Sequence, residues 1–286
     1  MTVKVYIDGK IVDRQDAMVS VFDRGFLFGD SVYETMRTQA GNPVDLQAHL
    51  DRLKRSADAI SMPLPEPRIL ERAIDETLAA SGNDESSIRV VVTRGSGEIG
   101  LATDLAESST LIIMVRPLVR PPEEFYQRGA KLAVVGVQRT PKRAVDPAIK
   151  SGNYLNNIMA LSEARKEGAH EAVMCDRDGR VAEGSTSNIF AVIDGVVTTP
   201  PLHVGLLPGI TRSRVLELAQ AAGLEVREAM LTPDQLSAAD EVFITSSIRG
   251  VLPIGEVGEV RVPAPGPITR QIMKLYRSHL DSHGQS

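Results

Sequence analysis

Apolar and polar positions alternate over the first forty residues. The run "VKVYI" is followed by Asp8-Gly9 and "KIVD", and "SVYETMRT" by "AGN", so short β-rich stretches are separated by turn residues. They predict an antiparallel meander. The period then changes: Leu46, Leu50, Leu53, Ala57 and Ile60 recur at helical spacing, and Leu70, Ile74 and Leu78 mark a second helix ending near Gly82. Residues 87–95, "SIRVVVTRG", and 109–117, "STLIIMVRP", return to apolar strand. In "RPLVRPPEE", residues 116–124, the prolines cannot donate to a ladder. The expected organisation is a smaller N-terminal α/β domain over 1–118, a linker over 119–124 and a larger domain over 125–286.

Beyond the linker, "AKLAVVGV" reads as a strand, and a helix follows with Asn153 as its expected N-cap. Its expected apolar face is Tyr154, Ile158, Met159 and Leu161, closed by Gly168. Three β-runs come next, "EAVMC", "RVAEG" and "SNIFAVI", split by "DRDG" and the "EGSTS" corner, and "IDGVV" supplies another hairpin turn. "LPGITRSRVLELAQAAG" is a glycine turn opening a helix, "EVFITS" and "GVLPI" are strands, and a last helix covers about 267 to 281. Mixed sheets with helices and many hairpins predict an α+β fold of two mixed α/β domains, not a doubly wound parallel sheet.

A chain of 286 residues, 42% hydrophobic and 24% charged, has the material for two ordinary globular cores. Its net charge of -5 comes from interspersed acids and bases, so the electrostatic footprint of a nucleic-acid binder is missing. The lone cysteine, Cys175, can make no internal disulfide and excludes metal sites built on several thiolates. A reducing compartment is expected. The start "MTVKVYIDGK" lacks a signal-peptide apolar run, and no segment approaches about 18 uninterrupted apolar residues, so the expectation is a soluble cytoplasmic protein without a membrane partner.

Candidate chemistry begins at "AIKSGNYLNN", residues 148–157, where Lys150 stands among small and amide residues that leave room for a close approach. Gly95-Ser96-Gly97-Glu98-Ile99-Gly100 matches G-x-G-x-x-G after a strand, but "LATDLAESST" leads on to another strand, so the helix a dinucleotide site requires is missing. In "LLPGITR", Ile210 and Thr211 begin a helix whose free N–H groups suit an anion, or form an ordinary capped terminus. "FITSSIRG", residues 243–250, gathers hydroxyls and N–H groups after a strand. Arg52 either turns toward a ligand or rides on a solvated face. Glu183 occupies a corner of small polar residues. A lysine for an aldehyde, anion sites for a phosphate and an acid for a ring nitrogen together fit pyridoxal 5'-phosphate.

Five strings in order, "DRGFLFGDSVYETMRT", "HLDRLKRSA", "KSGNYLNNIMA", "EGSTSNIF" and "LPGITR", resemble the fold-type IV pyridoxal-phosphate enzymes: branched-chain and D-amino acid aminotransferases and aminodeoxychorismate lyases. The resemblance spans nearly the whole chain. It implies that the larger domain binds the cofactor, that Lys150 forms the covalent link to it, and that Glu183 bonds the pyridine nitrogen. Arg52, Ile210, Thr211 and Ser247 would hold the phosphate, Tyr154 would face the ring hydroxyl and Leu207 would pack on the ring. Ser187, Asn188 and Ser246 complete the implied cofactor set. Phe28, Tyr33, Thr35, Arg37, Arg89, Ile248 and Arg249 form the implied substrate set, and no metal is implied. The resemblance further implies a homodimer whose neighbouring subunit closes the site.

The substrate signals are mixed. Arg89 matches the arginine of the Tyr-x-Arg element of branched-chain enzymes, but Ser87 stands where their tyrosine would be. Arg37 matches another branched-chain arginine, while Tyr33 and the "DRG" opening look closer to D-amino acid enzymes. Those carry an Arg-x-His pair where this chain has "SGEIGLATD". Thr35 sits where the lyases place a functional threonine. Arg249 is either a further carboxylate partner or a solvated turn residue. The expected activity is ping-pong transamination from a branched-chain or other apolar amino acid to a 2-oxo acid, 2-oxoglutarate or pyruvate. The alternatives are a D-amino acid or (R)-amine aminotransferase and a lyase.

Overall fold

A computed structural model describes residues 2–285, which cluster into two compact units. Unit 1 holds the chain through Val119, together with Ile149–Asn153 and the C-terminal residues from Asp281; unit 2 holds Arg120–Ala148 and Tyr154–Leu280. The five residues around Lys150, which the sequence reading put in the second domain, therefore have their contacts in unit 1.

Unit 1 contains β1 (Lys4–Ile7), β2 (Lys10–Asp13), α1 (Arg24–Phe28), β3 (Ser31–Gln39), β4 (Asn42–Pro43), α2 (Leu46–Ala59), α3 (Pro67–Ser81), β5 (Ser86–Thr93) and β6 (Thr110–Pro117). The strands form one antiparallel sheet in the order β2-β1-β6-β5-β3-β4. The expected turns are present: Asp8 and Gly9 have φ of 43° and 93°, and Ala40 and Gly41 of 50° and 81°, the left-handed pairs that a tight hairpin requires. The meander expectation fails between the two hairpins. β1 pairs with β6 and β3 with β5, because residues 14–30 carry the chain over the apolar pair that becomes the middle of the sheet. Alternation sorts the strands into two faces. Val32 and Met36 of β3, with Ile88 and Val90 of β5, meet Leu53 of α2 and Ile74 of α3 in a closed core. Tyr33, Thr35 and Arg37 point the other way, and Arg89 stands directly across from Thr35.

Unit 2 contains α4 (Glu123–Arg128), β7 (Ala130–Val134), α5 (Leu155–Lys166), β8 (Glu171–Cys175), β9 (Val181–Glu183), β10 (Asn188–Ile193), β11 (Val196–Thr199), α6 (Ile210–Ala221), β12 (Val226–Glu228), α7 (Pro233–Ser237), β13 (Glu241–Ser246), β14 (Gly250–Val257), β15 (Val260–Arg261) and α8 (Pro267–Ser282). Its mixed sheet runs β12-β11-β10-β13-β14-β7-β8-β9, with β15 beside β14. Ile189, Val242, Ile244, Leu252 and Ile254 fill one face. On the other, Phe190 stacks on Phe243 with ring centres 4.7 Å apart, and Asn188 lies opposite Thr245.

Two expectations for α5 are corrected. Its N-cap is Tyr154, not Asn153, and no side chain caps it. Its buried face is Asn157, Ala160 and Ala164, packed on Ala133, Ala172 and Met174, while Ile158 and Met159 are exposed. Small residues win because they let the helix axis approach the sheet closely, and large side chains there would overfill the space.

Candidate functional site

The backbone of Lys150 is hydrogen-bonded within unit 1. The Ser31–Tyr33 edge of β3, which has β5 on its other side, takes residues 150–152 as an extra edge piece. Tyr33 N–H donates to Lys150 O at 2.9 Å, Gly152 N–H donates to Ser31 O at 2.8 Å, and Val32 bridges Ser151. Lys150 N–H donates to Ser56 Oγ at 3.1 Å. Gly152 is required because a Cβ there would sit 2.1 Å from Ser31 Oγ. The half-buried Lys150 amine then donates to Tyr33 Oη at 3.3 Å and lies 4.4 Å from the ring centre. The exposed Arg89 guanidinium stands 3.8 Å from the same ring centre. One phenol thus gathers both cations.

Arg52 is neither at the edge of a solvated face nor loosely placed. It is buried, and its Nε and Nη2 donate to the two oxygens of Glu34 at 2.7 and 2.8 Å, while His49 Nδ1 lies 2.7 Å from Glu34 Oε2. Burial alone would raise the Glu34 pKa; the Arg52 cation and hydrogen bonds from Arg52 and His49 reverse that and bring it down to about 2. Glu34 carried no sequence signal beyond being an acid inside an apolar strand. Arg37 is buried, with Nε donating to Thr38 O and Nη2 to Gln39 Oε1, both at 3.1 Å. Thr35 Oγ1 is buried without a partner, and Phe28 is partly exposed beneath the Arg24 guanidinium, 5.3 Å from it. Beyond Gly95 the chain makes a loop and a short 3₁₀ turn before β6, so no helix follows the glycine run.

In unit 2, Glu183 ends β9 and is buried. Arg139 Nε donates to its Oε1 at 2.6 Å and Leu207 N–H to its Oε2 at 3.0 Å. Sequence reading missed Arg139 because it sits in a loop with other basic residues and no periodic pattern. The next four residues fold back, with Gly184 N–H donating to Ser187 O. Their hydroxyls and N–H groups converge on the fully buried Glu171, which sequence reading also missed. Burial pushes the Glu171 pKa up, but the Arg249 cation and hydrogen bonds from Ser185, Arg249 and Thr186 leave it lowered. Arg249 is accordingly not a solvated turn residue: its Nη1 donates to Glu171 Oε2 at 2.8 Å. Ser247, Ile248 and Arg249 form the half-buried turn between β13 and β14, with Ser246 ending β13, and Tyr154 is half-buried at the start of α5.

Whether these residues suit a phosphate ester can be judged from donors. α6 starts at Ile210 after Gly209, with no side chain capping it, so its first-turn N–H groups, beside the buried Thr211, are left to an anion without competition from a cap. Asn188 holds that turn, donating from Nδ2 to Leu207 O at 3.0 Å, and any Cβ at Gly209 would meet its Oδ1. Across the strand from Asn188, Thr245 Oγ1 is buried and unpartnered. Uncapped N–H groups and an orphan hydroxyl in unit 2, and a half-buried amine in unit 1, are the donor chemistry that pyridoxal 5'-phosphate needs.

Fold and donor set define a pyridoxal-phosphate enzyme of fold type IV. The profile of the family described as "Amino-transferase class IV" matches residues 31–257, and the chain belongs to that family. It is therefore an aminotransferase, with pyridoxal 5'-phosphate as its cofactor. It is 38% identical to a putative branched-chain-amino-acid aminotransferase of Methanocaldococcus jannaschii, over 96% of this chain and 95% of that one. It is 32% identical to a D-alanine aminotransferase of Bacillus licheniformis, over 97% of each chain. Among solved structures, the Escherichia coli branched-chain amino acid aminotransferase superposes with a TM-score of 0.91 at 30% identity, covering 96% of this chain and 93% of that one. The T.th. branched-chain amino acid aminotransferase with pyridoxamine 5'-phosphate gives 0.89 at 30% identity, with 99% and 94% covered. The 4-amino-4-deoxychorismate lyase of Pseudomonas aeruginosa gives 0.85 at 30% identity, with 97% and 99% covered.

Proposed function

We propose that this aminotransferase moves the amino group of a branched-chain or other apolar amino acid to a 2-oxo acid, such as 2-oxoglutarate or pyruvate, in two half-reactions at one site. The observation that carries the reading is the grouping on Tyr33. The Lys150 amine lies 3.3 Å from its oxygen and the Arg89 guanidinium 3.8 Å from its ring centre, which sets a fixed cation beside the reactive amine. An amino acid presents a carboxylate one carbon from its nitrogen, so such a pair suits it better than a simple amine. Val91, Ile112 and Met114 share that face of the sheet and offer apolar, partly exposed surface to a side chain. The branched-chain name of the M. jannaschii relative supports the same choice. D-alanine donors are the second reading, favoured by Tyr33 and the B. licheniformis relative.

In this reading Lys150 would hold the cofactor through its amine, and that amine would also move the proton at the substrate α-carbon. Glu183, its carboxylate held by Arg139 and the Leu207 N–H, would partner the pyridine nitrogen. Arg52, the first turn of α6 at Ile210 and Thr211, and Ser246 with Ser247 hold the phosphate. Ser187 and Asn188 shape the corner, and Tyr154 and Leu207 would hold the cofactor ring. Phe28, Thr35, Arg37 and Ile248 line the substrate side; Arg249, tied to Glu171, positions its turn. Bound pyridoxal phosphate supplies an electron-accepting ring for the charge left at the α-carbon.

The protein works as a homodimer in the cytoplasm. Supporting the assembly, unit 1 exposes Met18 at 77% and Leu101 at 81%, and α5 exposes Leu155, Ile158 and Met159, apolar side chains of the kind a subunit contact buries. The deciding experiment for the activity is a spectral screen of half-reactions. Purified enzyme is mixed with L-leucine, L-valine, D-alanine or (R)-1-phenylethylamine, and the cofactor band near the visible edge is followed. The L-branched-chain donors should convert fastest. Conversion by D-alanine alone would move the assignment to the second reading, and no conversion by any donor would refute both.

A further inference from the structure

Glu171 is the first residue of β8, fully buried, and its carboxylate is ringed by donors. Ser185 N–H donates to its Oε1 at 2.9 Å, Thr186 N–H and Oγ1 donate to its Oε2 at 3.3 and 2.9 Å, and Ser187 Oγ donates to Oε2 at 3.2 Å; Ser185 Oγ also donates. Arg249 Nη1 adds a charged donor at 2.8 Å, and its Nη2 donates to Thr186 Oγ1. The two side chains come from opposite ends of the arrangement. Glu171 grips the corner 184–187, and Arg249 belongs to the turn between β13 and β14, where Tyr126 Oη also donates to its carbonyl at 2.8 Å.

We propose that the Glu171–Arg249 ion pair is a positioning latch that locks the Ser246–Ser247 turn against the Ser185–Ser187 corner and so sets the geometry of phosphate recognition. The proposal rests on the reading of Ser246 and Ser247 as phosphate ligands. Neither member of the pair need touch the cofactor. The acid must be an anion, because an amide in its place would turn an NH₂ toward one of the donors it now accepts from. Its charge is satisfied internally, and the cation that neutralises it is the one that fixes the turn. An anion-binding turn gains from being held in place before its ligand arrives, since ordering it on binding would cost affinity.

Glu171→Gln separates positioning from direct electrostatics, because the two roles predict opposite signs. If the pair acted only through its field, removing a negative charge from the neighbourhood of a phosphate would tighten the binding of pyridoxal 5'-phosphate. If it is a latch, binding weakens. The experiment titrates the full-length protein, freed of cofactor, with pyridoxal 5'-phosphate and with pyridoxal, which has the same aldehyde and ring but no phosphate. Expected is a loss of about 10- to 100-fold in affinity for the phosphate ester, the size seen when a side chain that orients a metal ligand is removed. Pyridoxal should change by less than about 3-fold on the same argument. Arg249→Met should behave alike, and Arg249→Lys should recover part of the loss. Tighter binding in Glu171→Gln, an unchanged ratio of the two affinities, or equal losses for both compounds would overturn the latch. If Glu171→Gln does not fold, Glu171→Asp decides: it keeps the charge but shortens the reach to Arg249, so a field-only role predicts an unchanged ratio and the latch predicts a smaller preference for the phosphate ester. A wild-type protein without preference for the phosphate ester would refute the phosphate reading itself, an outcome distinct from variants that merely keep the wild-type preference.

Discussion

Replacing Arg89 by alanine removes two interactions of different size, and the structure says which substrates feel each. The guanidinium stands 3.8 Å from the Tyr33 ring centre on an exposed part of the sheet. A cation over an aromatic face at such a site is worth about 0.5–1 kcal/mol, so its loss should slow every donor by about 2- to 5-fold as Tyr33 becomes less fixed beside Lys150. A charge-assisted bond to a substrate carboxylate is worth about 1.5–3 kcal/mol, a further factor of about 10 to 150 that only an amino acid can lose. The assay is kcat/KM for L-leucine and for (R)-1-phenylethylamine with one common acceptor. In ping-pong kinetics that constant reports the donor half-reaction alone. The expected result is a loss for leucine at least ten times that for the amine. Equal losses, with a lowered melting temperature, would show that Arg89 serves only the fold of unit 1 and would refute its place as carboxylate anchor.

Three further outcomes are expected. Lys150→Ala should lower turnover by at least about 10²- to 10⁴-fold, the share of a general acid-base group, and near-normal turnover would remove the lysine from its role. Because the folded-state pKa of Glu34 is lowered to about 2, the native state binds fewer protons than the unfolded chain, so its stabilisation is complete above the ordinary carboxyl range and drains away as pH falls toward about 2. Urea titrations should show wild type losing about 2 kcal/mol more than Glu34→Gln between pH 6 and pH 3, and parallel losses would contradict the ion-pair account. Sedimentation at working concentration should give a dimer; an active monomer would refute the assembly.

What the sequence revealed and what it hid divide along physical lines. Hairpins, α2, α3 and α6 were legible because turn residues and apolar periods are local signals, and the order of the five family-like strings was enough to read the fold and the chemistry. The face of α5 was not. Hydrophobicity ranks Ile158 and Met159 above Ala160 and Ala164, but packing against a sheet is decided by volume, which depends on the neighbours. The buried acids were hidden for a similar reason. Glu34 is isolated in an apolar strand and Glu171 opens one, and the cations that justify them, Arg52 and Arg249, lie 18 and 78 positions away. Arg139 reaches Glu183 across 44 positions. Single-sequence patterns carry no signal at such separations.

The short stay of residues 149–153 in unit 1 has a consequence for how the protein can be made and cut. Tyr33 and Lys150 are 117 positions apart, so the phenol is synthesised long before the amine it receives. A nascent chain that has just completed Val119 already has every strand of the first sheet, yet its Ser31–Tyr33 edge still lacks the Lys150 segment. A fragment beginning at Arg120 has the lysine without the edge that seats it. If Lys150 is the reactive amine, neither half should react with an aldehyde there, and the site should assemble only on the complete chain. Split versions and circular permutants should therefore be opened elsewhere, at the exposed Asp194-Gly195 hairpin for example, where the segment between Ala148 and Tyr154 stays continuous on both sides.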